Sequence, residues 1–223
     1  SEMCIRDSFR SVPMQELLNE AKRLASEGVK ELVLVAQETT LYGKDLTGEK
    51  QLPLLLHELC KIEGIEWIRL LYCYPEEITD ELIKVIKTEE KVCNYIDMPI
   101  QHSENRILQR MGRRTSREDL VAVIKKLRKE IPDITIRTTL ITGFPGESQE
   151  DHEGLMNFVE ECQFDRLGVF TYSPEEDTLA ATFEDQIDEE VKEERRDELM
   201  SLQQEISYEP ASYTHLRAHE TAA

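Results

Sequence analysis

The sequence predicts an α/β fold of repeated strand and helix units, an open or closed (βα) barrel, on three observations. Short apolar runs alternate with longer segments of helical period; the runs start roughly 28 to 40 residues apart; and polar or aromatic groups cluster directly after each run. Parallel neighbours need a crossover, and the crossover is usually helical, so this alternation indicates parallel strands covered by helices. The even spacing fits a barrel better than a sheet with helices on both faces.

In chain order, residues 14–27 carry Leu17, Leu18, Ala21, Leu24 and Ala25 at helical spacing, and Gly28 is placed to end that helix. ELVLVA (31–36) reads as a fully buried strand. A helix near 53–62, a strand at 67–72, a helix at 79–87 and a strand at 94–99 follow. The helix over 116–130 opens with Ser116 and Asp119 in capping-box spacing. A strand at 134–141, a helix at 149–161 and a strand at 166–172 complete five strands. Beyond residue 186 a charged helix carries only Val191, Leu199, Leu202 and Ile206 as an apolar seam.

The 223 residues suffice for one substantial core, with or without an appendage. No apolar run approaches the roughly 20 residues of a membrane helix, and the N-terminus lacks the basic-then-apolar order of a secretory signal, so a soluble, cytoplasmic protein is expected. A net charge of −19 argues against nucleic acid as a partner of this segment and permits a basic protein. Cys4, Cys60, Cys73, Cys93 and Cys162 form no CxxC or zinc-type pair, and read as free thiols.

Ligands of parallel α/β barrels sit at the carboxyl ends of the strands. The segments at those positions are Gln37-Glu38-Thr39-Thr40, Tyr72-Cys73-Tyr74-Pro75, Pro99-Ile100-Gln101-His102-Ser103, Gly143-Phe144-Pro145-Gly146-Glu147 and Thr171-Tyr172-Ser173-Pro174. Two glycines and a proline in five residues suit neither strand nor helix; glycine lets a main chain approach a ligand closely. The competing reading is a strand-to-helix turn with Glu147 near the helix start. Core packing is the expected role of Tyr72. The cluster Arg110, Arg113, Arg114 and Arg117 reads as a solvated turn between helices rather than a substrate surface.

Taken together, LVLVAQETTLYGKDL, IEWIRLLYCYPEEITDELI, YIDMPIQHSENRIL, RMGRRTSREDL, IRTTLITGFPGESQEDHEGL and FDRLGVFTYSPEEDT resemble the core of the radical S-adenosylmethionine methylthiotransferases over about residues 9–207. The nearer branch is the RimO type, which modifies an aspartate of small-subunit ribosomal protein S-twelve. The MiaB type, which modifies a transfer-RNA adenosine, resembles GQNVNAY where this chain has AQETTLYG. The resemblance implies a partial TIM-like barrel of six βα units, of which about five are present here, with a charged C-terminal helix at 186–207 leading toward a TRAM domain. It implies S-adenosylmethionine as cofactor and two 4Fe-4S clusters in the parent protein. The cysteines of the first-strand cluster loop have no counterpart here, so no cluster is expected in this fragment, nor activity from it. A basic ribosomal protein and a flavodoxin or ferredoxin are the implied partners. The ends 1–8 and 208–223 resemble translated sequencing-adapter read-through and are expected to be disordered.

The resemblance also suggests site roles. Gln37 and Glu38 lie where related enzymes hold the methionyl amine; Gln101 and His102 fall beside the ribose; Ile141, Gly143, Phe144, Pro145, Gly146 and Glu147 lie against the adenosyl part. Arg137 could meet the cofactor carboxylate, and Tyr172 and Ser173 rim the mouth. No catalytic residue is assigned. Outside the family, the alternatives are a barrel lyase or isomerase using 143–147 as a phosphate cradle, and a noncatalytic binding module.

Overall fold

A computed structural model describes residues 10–176 and 178–220, with side chains described to residue 208; the expected tail at 1–8 lies outside the described residues. The elements run α1 (Met14–Ser26), β1 (Glu31–Leu34), α2 (Lys44–Thr47), α3 (Leu52–Cys60), β2 (Trp67–Leu70), α4 (Asp80–Thr88), β3 (Val92–Asp97), α5 (Asn105–Arg110), α6 (Arg117–Glu130), β4 (Thr135–Thr142), α7 (Gln149–Cys162), β5 (Arg166–Thr171) and α8 (Glu189–Glu220). All five expected strands and the helices between them are present. The backbone of 208–220, expected as an irregular tail, continues α8. No helix among the described residues is long and apolar enough to cross a membrane.

The chain forms two compact bodies. One holds residues 10–99 and 122–135, the other 100–121 and 136 onward. In the first, β1, β2 and β3 lie side by side in parallel, with a register shift between Ile68 and Leu70. Its core is aliphatic, with Leu56, Ile68, Leu70, Ile86 and Ile96 almost wholly buried. Helix α1 ends as the glycine requires: Gly28 takes φ +92° and donates to the Ala25 carbonyl. Helix α4 is capped by Thr79, whose side chain accepts from the Leu82 amide.

In the second body β4 and β5 pair in parallel from Arg137↔Arg166 to Thr142↔Thr171. Helix α8 packs on β5 and α7. Phe158 and Phe164 meet at 6.0 Å between ring centroids within that core. Gln203 of α8 donates to the Phe164 carbonyl at 2.8 Å, fixing the helix against the start of β5.

The anticipated N-cap at Ser116 forms. Ser116 and Asp119 exchange bonds, the Asp119 amide donating to Ser116 Oγ at 3.2 Å and the Ser116 amide to Asp119 Oδ2 at 3.1 Å. Ser148 and Asp151 form a second box at the start of α7. Ser148→Ala leaves the Asp151 amide without its acceptor and is expected to cost about 1 kcal/mol; urea unfolding measures it, and an unchanged midpoint would mean water replaces the cap.

One reading of the strands is corrected. The strand at 31–36 was expected to be fully buried, yet Val33 and Val35 are about half exposed or more, as are Trp67 of β2 and Phe170 of β5. Burial in β4 alternates strictly, with Ile136, Thr138, Leu140 and Thr142 buried and the residues between them half-buried. Apolar content alone does not separate a strand covered on both faces from one whose second face is open. Tyr72, expected in a core, is likewise exposed and takes φ +56°.

Candidate functional site

Directly after β1 the chain turns through a 3-10 segment, Thr39–Leu41, capped by Glu38. Glu38 Oε1 accepts from the Thr40 amide at 2.9 Å and the Tyr74 amide at 3.4 Å, and from the Thr40 hydroxyl. The side chain is buried, and Oε2 has no hydrogen-bond partner. Burial pushes the Glu38 carboxyl up to about 7, against the pull of the Thr40 and Tyr74 amides and with the help of the Glu77 and Glu76 charges. A carboxylate held with one oxygen satisfied and the other bare is arranged to receive a cation. Gln37, beside it, is exposed.

The loop after β2 closes over the same residues. Thr39 donates to the Leu71 carbonyl through Oγ1 at 2.6 Å and to the Tyr72 carbonyl through its amide at 3.0 Å. The left-handed Tyr72 donates its amide to Asp97 Oδ2 at 3.2 Å. Burial, with Glu38 and Asp97 nearby, pushes the Cys73 thiol far above its ordinary range, so Cys73 is a packed thiol and not a nucleophile.

In the second body the site is built on the ends of β4 and β5. Gln101 takes φ +73° and bridges to β4, its amide donating to the Thr139 carbonyl at 2.9 Å and its carbonyl accepting from the Ile141 amide at 2.7 Å. That kink drives His102 inward, where it is completely buried. His102 Nδ1 accepts from the Glu104 amide at 3.0 Å, which leaves the proton of the neutral ring on Nε2. Nε2 faces Glu147 Oε2 at 3.4 Å, longer than a well-formed bond.

Glu147 is the hub of the turn. Its carboxylate accepts from the Gly143 amide at 2.8 Å and from Arg195 Nη1 at 2.8 Å, with Thr142 Oγ1 at 3.4 Å. Burial raises its carboxyl, but His102, Arg195 and the Gly143 amide outweigh burial and the net direction is down. This geometry disfavours a phosphate cradle at 143–147, because the Gly143 amide is already engaged by a buried anion.

The two glycines are explained by the chain itself. Gly143 has φ +70°, and a Cβ there would lie 2.2 Å from Cγ of Lys192; Gly146 has φ +81°, and a Cβ would lie 2.4 Å from Asp185 Oδ2. The groups that approach the two glycines in this structure belong to α8 and the segment before it. Lys192 is buried and donates to the Tyr172 carbonyl at 3.0 Å and to Glu189 at 2.6 Å. Lys192 and Arg195 were missed in the sequence, although their i,i+3 spacing on an otherwise acidic helix face was available.

Phe144 and Tyr172 pack edge to face at 5.1 Å, joined by Ile107 and bordered by Ile141, Met111 and Phe183. Pro145 is buried and Ser173 exposed. Arg137 lies on the half-buried face of β4 with Thr139 and Ile141, near Gly168, whose absent Cβ would contact Phe170. Arg110 pairs with Asp185 at 2.7 Å and stacks over Phe183, and Arg117 pairs with Glu104, so these two members of the basic cluster are neutralised locally. The expected site residues therefore fall into two groups, Gln37 and Glu38 in the first body and Gln101, His102, Arg137, Ile141, Gly143 to Glu147, Tyr172 and Ser173 in the second.

Cys60, Cys73, Cys93 and Cys162 are free thiols, and among the described residues no three His, Cys, Asp or Glu side chains are grouped to hold a metal. The residues present fit a cationic head group at Glu38.

Comparison with known proteins gives consistent relatives. Residues 4–159 match the Radical SAM superfamily. A protein of Lachnoclostridium phytofermentans described as ribosomal protein uS12 methylthiotransferase RimO is 63% identical over 207 residues, covering 93% of this chain and 47% of that protein. A Clostridium perfringens protein of the same description is 58% identical, covering 92% and 46%. The chain spans about half the length of the curated relatives it matches. Among solved structures, Streptococcus suis SuiB bound to precursor peptide SuiA aligns with a TM-score of 0.60 at 14% identity, over 89% of this chain and 41% of SuiB. The radical S-adenosylmethionine methyltransferase TsrM of Kitasatospora setae, with cobalamin and a [4Fe-4S] cluster bound, aligns at 0.58 and 17%, over 71% and 31%. At these identities the likeness establishes a shared α/β fold.

Proposed function

Since the chain belongs to the Radical SAM superfamily, we propose that it is a piece of a methylthiotransferase that modifies an aspartate of ribosomal protein uS12. The substrate rests on the description of the relatives that share most of this sequence. The cofactor rests on one observation of this chain, the buried and unpartnered Oε2 of Glu38.

An ammonium placed against Oε2 completes the hydrogen bonding of Glu38 and removes the cost of ionising it in a buried site. S-adenosylmethionine carries such an ammonium, and when bound it supplies one-electron chemistry at an otherwise unreactive carbon. The residues of this chain bind and orient. Glu38 holds the amine, with the Thr40 and Tyr74 amides fixing the orientation of its carboxylate. The clusters of the methylthiotransferases would be carried by cysteines outside the described residues, and their electrons would come from a flavodoxin or ferredoxin.

Titration calorimetry tests the reading. S-adenosylmethionine is expected to bind the chain, and its deaminated analogue to bind about tenfold or more weakly, for want of the charge-assisted bond. Binding of a sugar bisphosphate in its place would favour a barrel lyase, and indifference to both ligands would favour a binding module.

A further inference from the structure

Helices α7 and α8 pack together within the second body and leave an open groove of about 860 Å³ between them. Its walls carry Glu153 of α7 and Glu194, Asp197, Glu198 and Glu205 of α8, while Met156 and Leu202 line it with apolar surface. Among the described residues no lysine or arginine lines it. The cations of the same helix are engaged elsewhere: Lys192 and Arg195 are buried against the Tyr172 carbonyl and Glu147, and Arg196 answers Asp197 at 2.8 Å. Glu194 and Glu205 carry no ion pair among the described residues.

Solubility asks for charge scattered over a surface, not for five carboxylates along one groove with apolar side chains between them. Glu194 and Glu198 stand four residues apart on α8, a spacing at which like charges oppose the helix that carries them. His152 is a second and independent sign of a ligand. It lines the groove with only 1% of its surface exposed. Its Nε2 lies 2.6 Å from Glu198 Oε2 and so takes the proton of the neutral ring, which leaves Nδ1 as an acceptor with no hydrogen-bond partner. A bare acceptor in company with five carboxylates calls for donors that carry positive charge. Met156 and Leu202 call for the aliphatic stems that such donors ride on.

We propose that the groove between α7 and α8 is a docking surface for an arginine- or lysine-rich segment of a protein partner, its charged heads on the carboxylates and its stems over Met156 and Leu202. The groove lies wholly in one body and involves no cofactor, so the proposal is independent of the reading of Glu38. A second copy of this chain, itself at a net charge of −19, is a poor occupant.

Fluorescein-labelled octa-arginine is the probe, added to the whole chain at about 0.15 M salt, where long-range attraction is screened. Anisotropy is expected to show binding that weakens about tenfold or more in Glu194→Gln/Glu198→Gln/Glu205→Gln. The control Glu16→Gln/Glu81→Gln/Glu90→Gln removes as much charge from exposed positions of the first body and is expected to change affinity less than about twofold. Equal losses in the two variants overturn the proposal, because net charge alone would then hold the peptide; so does an absence of binding. Glu198 also holds His152, so Glu194→Gln/Glu205→Gln, which leaves that pair intact, guards against a disturbed α7. It is expected to weaken binding about threefold or more, and an unchanged affinity overturns the proposal. NMR of the methionine methyl groups locates the peptide: Met156 is expected to shift on titration and Met14 of α1 to stay, and the reverse pattern places the peptide elsewhere and ends the proposal.

Discussion

Gly143→Ala is expected to destabilise the protein by about 3 kcal/mol, from two separable sources. The left-handed backbone at φ +70° costs a residue with a Cβ about 1 kcal/mol or somewhat more. The rest comes from overlap, since the new methyl group would sit 2.2 Å from Cγ and 2.9 Å from Cβ of Lys192. The lysine cannot simply swing away, because its ammonium is held by the Tyr172 carbonyl and Glu189. A double-mutant cycle separates the terms: in a Lys192→Ala background the penalty of Gly143→Ala should fall to about 1 kcal/mol, the backbone part alone. Urea unfolding of the four proteins gives the coupling, and equal penalties in both backgrounds would show that Lys192 does not set the glycine.

That result bears on what a sequence can disclose. The order of strands and helices was legible because each element carries its own period, and the cap at Ser116 was legible because a capping box is local; the equally local box at Ser148 was passed over. The short helices α2 and α5 escaped, being too short to display a period. Exposure of Val33, Val35 and Phe170 escaped for a different reason: whether the second face of a strand is covered depends on elements remote in the chain. The same remoteness hid the meaning of Gly143 and Gly146. A ligand was expected to approach these positions, whereas the groups brought close to them lie some 40 residues or more downstream, at Asp185 and Lys192. Glu147 shows the converse, since a carboxylate that read as a ligand contact spends its oxygens on Gly143 and Arg195.

Glu38→Gln should raise stability and weaken cofactor binding, two opposite effects of one missing charge. The unfolded carboxyl ionises near 4.5 and the folded one near 7, so between those values the folded state binds the extra proton and stability falls as pH rises. Above pH 7 the full penalty applies, on the order of 3 kcal/mol. Glutamine removes it while its carbonyl oxygen still accepts from the Thr40 and Tyr74 amides, at the cost of one unsatisfied N–H where Oε2 stood. The variant should therefore unfold at higher temperature than the parent at pH 8, with the advantage vanishing toward pH 5. Binding runs the other way. An ammonium at Oε2 favours the ionised carboxylate, so the parent's affinity for S-adenosylmethionine should climb from pH 5.5 to 7 with release of a proton, and Glu38→Gln should bind about a hundredfold more weakly at pH 7. Calorimetry in two buffers of different ionisation enthalpy counts the proton. A variant that binds as tightly as the parent, or a parent whose affinity ignores pH over that window, would remove Glu38 from the site and leave its bare oxygen as a defect of packing.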